Sequence, residues 1–311
     1  MIAIKINIVV PVYNEEDNIE HFCAEVCAVM KNLPYTYEII FVDDGSVDES
    51  RKILRRLENE VDTIRAIFLA RNYGHQVALT CGLDNADGDA VITMDGDMQH
   101  PPNLIPTLIE KWREGYDVVQ TVRVATEGVS TFKRLTSRLY YKLLNFLSDV
   151  PIVEGGSDFR LMDKQVVQAF RQYHEHDKFI RGLIAAIGFN QTAIEFTAPK
   201  RFAGVSKFSV RKMLHLALDG IVAYSTVPLR MSFYAGLLCG LFSIILAIHV
   251  LYETFVGNVV AGWATITIAV SFFGGMQLVF LGIVGEYIAR IFREVKNRPI
   301  YFTKEELRIK N

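Results

Sequence analysis

Residues 90–102, AVITMDGDMQHPP, decide the fold, because an apolar run is followed at once by two carboxylates. The run from Ala90 to Met94 is typical of an inner strand of a parallel sheet. Asp95 and Asp97 would then lie at the carboxyl end of that strand, where open α/β sheets bind ligands. Oxygen ligands favour Mg²⁺ or Mn²⁺, and Mg²⁺ commonly takes further oxygens from substrate phosphates. On spacing alone, an ordinary acidic turn fits equally well, since Asp and Gly commonly end strands.

The remainder of the N-terminal part alternates between strand-like and helix-like segments. Further apolar runs are NIVVPVY (7–13), YEIIFV (37–42), IRAIFLA (64–70) and DVVQTV (117–122), and helix-like stretches span 16–30, 49–60, 76–86 and 104–112. This alternation predicts an α/β fold with a mostly parallel sheet covered by helices. After Val122 the pattern loosens into a basic segment, a Gly-rich turn at 154–160 and a helix-rich stretch.

Polar residues follow four of the predicted strands. They are Asn14, Glu15 and Glu16 after the first, Asp43 and Asp44 after the second, Arg71 and Asn72 after the third, and the Asp95 pair after the fourth. Each group alone also fits a helix start or a turn. Because such strand ends converge on one crevice, we expect a nucleotide site there. No Walker lysine motif and no GxGxxG occurs, which argues against ATPase and dinucleotide-binding classes.

Two long uncharged runs predict a transmembrane hairpin. Residues 231–252 and 263–285 carry no formal charge, and as helices each would span roughly 33 to 35 Å, enough for a hydrocarbon core. A pair of buried core helices is the alternative. Five bases and no acid lie in 196–218, and seven bases against three acids lie from 288 onward, whereas the loop 254–262 is uncharged. The positive-inside rule therefore predicts a multi-pass protein of the cytoplasmic membrane with both termini in the cytoplasm.

The formal net charge of −2 hides an asymmetry between the two parts of the chain. Residues 1–120 hold 10 bases and 21 acids, whereas 121–311 hold 23 bases and 14 acids. A basic part beside membrane spans indicates contact with anionic head groups or a lipid phosphate, and the acidic part argues against a nucleic-acid partner. The N-terminal MIAIKINIVVPVY is too short and too β-branched for a signal peptide, so we expect the N-terminal domain to stay in the cytoplasm.

These patterns predict four parts. They are a cytoplasmic domain at 1–205, a juxtamembrane amphipathic helix at 206–230, two transmembrane helices within 231–287, and a basic cytoplasmic tail at 288–311. The amphipathic pattern of 208–227 predicts an interfacial helix, although a core helix fits it too. Gly236 and Gly240 form a small-xxx-small pattern that permits close helix packing, so we expect a homo-oligomer through the spans.

A family resemblance covers nearly the whole chain. The sequence contains PVYNEE, FVDDGSVDES, ARNYGHQVALTCGLDNADGD, MDGDMQHPP, SDFRLM and PKRFAGVSKF, followed by the two spans and GEYIARIFREVKNRPIY. In this order the motifs resemble the membrane-anchored family 2 glycosyltransferases of the GT-A (Rossmann-like) fold. They are most similar to the bacterial polyprenyl-phosphate (bactoprenol) glucosyltransferases, relatives of the dolichyl-phosphate mannose synthases. The resemblance implies inverting transfer of a sugar from a nucleotide diphosphate to polyprenyl phosphate, with Mg²⁺ or Mn²⁺ as cofactor.

The resemblance also implies site residues. The nucleotide sugar would bind Pro11, Tyr13, Glu15, Asp43, Asp44, Asn72, Asp95 and Gln99, with the metal on Asp95 and Asp97. The acceptor phosphate would meet Arg123, Lys133, Arg134, Ser137, Arg201 and Lys207. Arginine suits that role because its planar guanidinium binds phosphate bidentately. Asp97 and Asp158 would be the catalytic residues.

Asp158 resembles the proposed catalytic base of the family, but the chemistry of the acceptor argues for another role. A phosphate monoester has a second pKa of about 6 and is already largely a dianion at cytoplasmic pH. We therefore expect Asp158 to orient the acceptor or a basic residue such as Arg160, while neutralisation of the leaving diphosphate supplies most of the rate. His75 and His100 lack a Cys or His partner at ligand spacing, so we expect no zinc site.

Several alternatives remain open at the level of the sequence. The resemblance favours UDP-glucose, with UDP-N-acetylglucosamine and GDP-mannose as alternatives, because no residue discriminates among them. A processive polysaccharide synthase is disfavoured, since the chain has no QxxRW segment and only two predicted spans. A non-catalytic membrane scaffold is opposed by the intact carboxylates. By analogy, a flippase and a downstream transferase would use the product in lipopolysaccharide or cell-wall glycan modification.

Overall fold

The structure, a computed structural model, describes residues 4–126, 156–176, 178–198, 227–256 and 262–306. The chain divides into two compact units. Of the described residues, those up to 198 together with 299–306 form a unit built on one sheet, and 227–298 form a unit of two long helices. The predicted juxtamembrane helix at 206–230 lies almost wholly outside the described residues.

Strands and helices alternate along the sheet unit as the sequence predicts. The elements are β1 (Lys5–Val12), α1 (Ile19–Met30), β2 (Thr36–Asp43), α2 (Ser50–Glu60), β3 (Ile64–Leu69), α3 (His75–Asn85), β4 (Ala90–Thr93), α4 (Ile105–Arg113), β5 (Val118–Thr126), β6 (Gly156–Asp163), α5 (Lys164–Arg171), α6 (Ile180–Ala186), β7 (Gln191–Ala198) and β8 (Thr303–Glu306). The predicted strands and helices up to residue 122 are confirmed, with their ends shifted by a few residues.

The eight strands form one mixed sheet in the order β7-β5-β6-β4-β1-β2-β3-β8. Neighbours from β4 through β1 and β2 to β3 are parallel, as are β5 and β7. β6 runs antiparallel between β4 and β5, and β8 runs antiparallel along β3. The predicted mostly parallel α/β sheet is therefore confirmed. The strand order reverses at β1, which makes the carboxyl ends of β1 and β4 a topological switch point, where open sheets bind ligands.

Apolar side chains cover both faces of the sheet. Ile8 and Phe41 pack with Phe22 of α1 on one face, in a cluster that also includes residues of α2 and α4. Val9 packs with Leu79 of α3 on the other face, in a cluster that also includes residues of α5 and α6. Successive strand residues point to opposite faces, so a strand that is covered on both sides reads as a continuous apolar run.

The predicted Gly-rich turn at 154–160 is wrong where the structure describes it. Residues from Gly156 onward form β6 in the interior of the sheet. Ser157, Asp158 and Arg160 are at most 6% exposed in this strand. These buried polar side chains interrupt the apolar pattern by which an inner strand is recognised, which is why the sequence indicated a turn.

The second unit consists of α7 (Val227–Val256) and α8 (Trp263–Val295). Each contains an apolar stretch long enough to cross a membrane, Leu229–His249 and Phe272–Val295, with no buried residue in its most apolar window. The helices contact each other where Cys239 Sγ lies 3.2 Å from Met276 Sδ. Exposed apolar surface of this extent marks a membrane-interacting surface, so the unit indicates membrane association. The predicted tail from 288 is helical up to Val295, and its later part pairs with the sheet as β8.

Candidate active site

The antiparallel register of β6 brings Asp158 to the carboxyl end of β4. Thr93 of β4 pairs with Arg160 of β6 and donates its hydroxyl to the backbone carbonyl of Asp158, and Asp95 follows Thr93 by two residues. His75, the first residue of α3, lies between the two carboxylates. Its Nε2 is 3.5 Å from Asp95 Oδ1 and 3.6 Å from Asp158 Oδ2. Two strand ends and one helix start therefore meet at the switch point.

Arginine side chains occupy both oxygens of the Asp158 carboxylate. Arg181 of α6 donates from Nε to Oδ1 and from Nη2 to Oδ2, each at 2.9 Å. Arg160 donates from Nη2 to Oδ1 at 3.1 Å. A bidentate arginine pair fixes both the plane and the distance of a carboxylate. Asp158 is therefore held rigidly by two guanidinium groups.

The cations around Asp158 change the ionisation of the site. Burial alone would raise the pKa of Asp158, but the nearby His75 and the charges of Arg181 and Arg160 outweigh burial and hold that pKa well below its usual range. Burial would lower the pKa of His75, but Asp158 and Asp95 outweigh it and raise that pKa to about 9. At neutral pH the site therefore contains an ionised Asp158 and a protonated His75.

Residues 94–99, here called the DGD loop, present two partly exposed carboxylates. The Asp95 side chain is 33% exposed, and Asp97 Oδ1 accepts a hydrogen bond from the backbone N–H of Gln99 at 3.1 Å. Met98 has a φ of 62°, which turns the backbone between Asp97 and Gln99. The loop therefore leaves carboxylate oxygens within reach of a ligand.

The chemistry of these side chains fits a hard divalent cation that shares its ligands with substrate. In the described part of the chain, no group of three or more His, Cys, Asp and Glu side chains is placed to hold a metal by itself. His100 Nδ1 already accepts from the backbone N–H of Asp95, so this nitrogen has no lone pair left for a metal. Asp95 and Asp97 would thus hold Mg²⁺ or Mn²⁺ together with phosphate oxygens.

The two carboxylates that end β2 are occupied by groups of the chain itself. Asp43 is fully buried and accepts from Arg51 Nε at 2.7 Å. Asp44 is also buried and accepts from the backbone N–H groups of Tyr73 and Gly74 at 2.7 and 2.9 Å. Both carboxylates stabilise the loops at the ends of β2 and β3. The nucleobase contact assigned to one of them stays a prediction.

The loop after β1 is tied to the loop after β2. The backbone N–H of Val47 donates to Asn14 Oδ1 at 2.9 Å, and the backbone N–H of Asn14 donates to Ser46 Oγ at 2.9 Å. Gly45, at a φ of 74°, packs so tightly against the backbone after β3 that an added Cβ would lie 2.5 Å from it. The three loops therefore form one connected edge.

The other predicted nucleotide residues lie on or beside that edge. Pro11 is buried in β1, whereas Tyr13 and Asn72 are exposed. Glu15 Oε2 accepts from Asn18 Nδ2 at 2.6 Å, and Gln99 is half-buried after the DGD loop turn. The structure thus brings these residues to the ends of β1, β3 and β4, and their contacts with a nucleotide stay predictions.

Among the predicted acceptor-phosphate residues, the structure describes Arg123. Its guanidinium lies over the Phe196 ring at 5.9 Å, and Phe196 packs edge-on against His100 at 6.2 Å. Arg123 follows the middle of β5, whose carboxyl end lies at the same edge of the sheet as the end of β4. Lys133, Arg134, Ser137, Arg201 and Lys207 lie outside the described residues.

Sequence reasoning missed Arg181, and it considered His75 and His100 only as possible zinc ligands, a role that it rejected. Arg181 belongs to no recognisable motif, and the one available signal was the need of a buried Asp158 for a cation. His75 Nε2 lies 3.5 Å from the Asp95 carboxylate, and His100 Nδ1 accepts from the backbone N–H of Asp95. The sequence spacing argued only against zinc and did not predict which residues these two histidines contact.

Open α/β sheets bind nucleotides at the topological switch point, and the carboxylates and cations found there suit a metal-bound anionic ligand. The family model described as Glycosyl transferase family 2 matches residues 7–171, which include the DGD loop and Asp158. An uncharacterized glycosyltransferase, sll0501 of Synechocystis sp., is 41% identical over 304 residues, covering 97% of this chain and 96% of that protein. The SfII prophage-derived bactoprenol glucosyl transferase of Shigella flexneri is 40% identical over 305 residues, covering 98% and 99%.

The chain therefore belongs to glycosyl transferase family 2. It is a glycosyltransferase whose similarity to these relatives extends through the two apolar helices. The family predicted from the sequence motifs is confirmed.

Proposed function

We propose that the protein transfers a sugar, in the first instance glucose from UDP-glucose, to polyprenyl phosphate with inversion at the anomeric carbon. The observation that carries the proposal is the meeting of Asp95, His75 and Asp158 at the switch point. Relatives of nearly equal length named bactoprenol glucosyl transferase support the lipid acceptor. The two apolar helices would keep the enzyme at the membrane that contains such an acceptor.

The donor diphosphate would lie over the DGD loop. Asp95 and Asp97 would hold Mg²⁺ or Mn²⁺, and when bound this cation neutralises charge that develops on the leaving diphosphate. His75 is protonated beside Asp95, and α3 begins at His75, so its helix N-terminus adds positive potential at the same place. Gln99 follows the two carboxylates and would contact the same diphosphate.

The nucleoside would lie across the ends of β1, β2 and β3. Tyr13 and Asn72 present exposed side chains there, and Pro11 and Glu15 shape the edge beside them. Asp43 and Asp44 hold the loops in place through Arg51 and the Tyr73–Gly74 backbone. This connected edge supplies a preformed surface, which lowers the entropy cost of binding a nucleotide.

In the reaction, an oxygen of the acceptor phosphate attacks the anomeric carbon as the bond from that carbon to the donor diphosphate breaks. The nucleoside diphosphate leaves with the bonding electrons. A phosphate monoester with a second pKa of about 6 arrives as a dianion, so no proton has to be removed. Asp158 is a weak base because its pKa is low and its oxygens are occupied. We therefore assign Asp158 to positioning Arg181, Arg160 and His75.

The acceptor phosphate would meet basic side chains beside the donor. Arg123 lies near the end of β5, and Lys133, Arg134, Ser137, Arg201 and Lys207 complete the proposed set from the sequence. The charge asymmetry of the chain agrees with this role, since residues 121–311 hold 23 bases against 14 acids. Anionic lipid phosphate is attracted to such a segment near a membrane surface.

We further propose that the protein is multi-pass, with both termini and the sheet unit on the cytoplasmic side. The uncharged segment 254–262 between basic flanks supports this orientation. A homo-oligomer through the apolar helices belongs to the same proposal, as do a flippase and a downstream transferase that would move and use the product.

The test of the proposed function is incubation of membranes containing the protein with a panel of labelled nucleotide sugars and undecaprenyl phosphate. We expect lipid-extractable label from UDP-glucose, and its loss when EDTA removes divalent cations. If the label comes from UDP-N-acetylglucosamine or GDP-mannose instead, the proposed reaction stands but the donor sugar is a different one. No lipid-extractable label from any donor, with no nucleotide-dependent rise in thermal stability, would favour a non-catalytic scaffold.

A further inference from the structure

We propose that His100 is a positioning residue that fixes the DGD loop to the strand carrying Asp158. The proposal rests on the proposed function, because it treats Asp95 and Asp97 as the metal-holding carboxylates. His100 is 1% exposed and lies five residues beyond Asp95. The side chain of His100 is therefore buried beneath the loop that it follows, next to the backbone of Asp95.

Hydrogen bonds define both the tautomer and the partners of His100. The backbone N–H of Asp95 donates to His100 Nδ1 at 2.9 Å, and His100 Nε2 lies 2.6 Å from Ser157 Oγ. Because Nδ1 accepts, the neutral ring carries its proton on Nε2 and donates it to Ser157. One imidazole therefore bridges the first carboxylate of the loop and the residue that precedes Asp158.

Ser157 anchors the other end of this bridge within β6. Its Oγ also accepts from the backbone N–H of Phe159 at 3.2 Å. The imidazole stacks on the Phe159 ring with centroids 5.3 Å apart and planes 21° apart, and Phe196 packs edge-on against it with centroids 6.2 Å apart. Its position is therefore fixed both in the plane and perpendicular to it.

The bridge leaves the carboxylate of Asp95 available. His100 Nε2 is 3.6 Å from Asp95 Oδ2, too far for a hydrogen bond, while the backbone N–H of the same residue is held at 2.9 Å. His100 thus fixes the backbone position of Asp95 and does not itself form a hydrogen bond with the carboxylate oxygens. Partners of this kind that orient metal ligands typically change metal affinity by about 10- to 100-fold when removed.

The experiment measures Mn²⁺ binding to the full-length, detergent-solubilised protein by calorimetry in the presence of UDP, so that no turnover is needed. His100→Phe keeps an aromatic ring against Phe159 but removes both hydrogen bonds. His100→Asn keeps an oxygen near the position of Nδ1 that can accept from the Asp95 N–H. The matched control is Thr121→Val, since buried Thr121 donates from Oγ1 to the Phe159 carbonyl of β6 at 2.8 Å, a hydrogen bond that does not involve the DGD loop.

We expect the affinity for Mn²⁺ to fall at least about tenfold in His100→Phe and less in His100→Asn. Thr121→Val should lower the melting temperature and leave Mn²⁺ affinity unchanged. Wild-type affinity in His100→Phe, or an equal loss in Thr121→Val, would overturn the role of His100. If wild type itself binds no Mn²⁺ with UDP, the proposed metal site fails and this inference fails with it.

A second variant keeps the test decisive if His100→Phe does not fold. Ser157→Ala removes the anchor in β6 while the bond between Asp95 and His100 can persist. We expect Ser157→Ala to weaken Mn²⁺ binding and to raise the donor KM more than it lowers kcat. Mn²⁺ affinity and donor KM at wild-type values in this variant would contradict the bridge.

Discussion

Among single residues, Asp158 determines which chemistry the site can perform. Its two oxygens accept hydrogen bonds from two arginines, and His75 adds a third positive charge. A carboxylate in such a setting is stabilised in its ionised form and gains little by taking up a proton. The charges of the donor and acceptor phosphates would instead be met by cations that Asp158 holds in place.

The substitution Asp158→Asn tests this role. We expect a lower kcat, because the Arg181 pair is weakened, and an unchanged shape of the pH–rate profile from about pH 6 to about pH 9 at saturating acceptor. Asp97→Ala should be the more damaging change, since it removes a proposed metal ligand. A base-type limb in wild type that Asp158→Asn abolishes, with activity as low as that of Asp97→Ala, would show that Asp158 accepts the proton.

The raised pKa of His75 predicts a pH dependence of stability in metal-free buffer. Its folded-state pKa is about 9 against an ordinary 6.5, so the stabilisation is fully present below pH 6.5 and is lost as pH rises through about 9. The melting temperature of wild type should therefore exceed that of His75→Gln most at the lower pH. If the difference in melting temperature between wild type and His75→Gln instead increases as the pH rises from 6.5 to about 9, the ion pairs of His75 do not stabilise the fold.

At the residue scale, the sequence predicted the carboxylates but not their cations. Asp95 and Asp97 stood out because two acids followed an apolar run, and Asp158 stood out through family resemblance. Arg181 is 23 residues from Asp158, and only the fold brings the two together. Partners that lie far apart in sequence leave no local pattern.

Among the strands, β6 and β8 were not predicted from the sequence because both are rich in polar or charged residues. β6 carries buried Ser157, Asp158 and Arg160, and β8 (TKEE) is short and charged. The inner parallel strands were predictable because both of their faces bury apolar residues. By contrast, a strand that builds the site must carry polar residues, and a charged edge strand is typical of a protected sheet edge.

β8 connects the residues after the long helices to the edge of β3. Tyr301 donates its hydroxyl to Asp84 at 3.1 Å, and the backbone N–H of Ala70 donates to the Phe302 carbonyl at 2.8 Å. Removing residues 299–311 exposes the edge of β3, so we expect a melting temperature several degrees lower and a greater tendency to aggregate.

Tyr301→Phe is the matched control for that truncation, since it removes only the hydrogen bond to Asp84. It should cost about 0.5–1.5 kcal/mol of stability in denaturant unfolding. If the truncated protein melts at the temperature of the full chain, β8 contributes nothing to the sheet unit.

Considered as a whole, the chain joins a unit built on one sheet to a unit of two apolar helices. The two apolar helices were predictable from composition, because uncharged runs of 22 and 23 residues are long enough to span a bilayer. The helices extend beyond those runs, to Val256 and Val295, so the helical backbone continues past the last uncharged residue of each run. Hydropathy therefore identifies the membrane-spanning part of a helix, but it does not define the residues at which the helix begins and ends.

The proposed orientation predicts which sites a membrane-impermeant maleimide can reach. In a cysteine-free background, Asn258→Cys in the loop between the helices should be labelled on intact cells. Glu49→Cys, at a side chain 59% exposed in the sheet unit, should react only after the membrane is opened. Labelling of Glu49→Cys on intact cells would reverse the orientation.

The carboxylates at the end of β4 are proposed to support the transfer of a sugar onto a lipid phosphate. The most direct measurement is the product analysis of purified, reconstituted protein given UDP-glucose, undecaprenyl phosphate and Mn²⁺. We predict polyprenyl-phosphate hexose and UDP in equal amounts by mass spectrometry, with both lost in Asp97→Ala. Release of free glucose without the lipid product, or undiminished product from Asp97→Ala, would contradict the account.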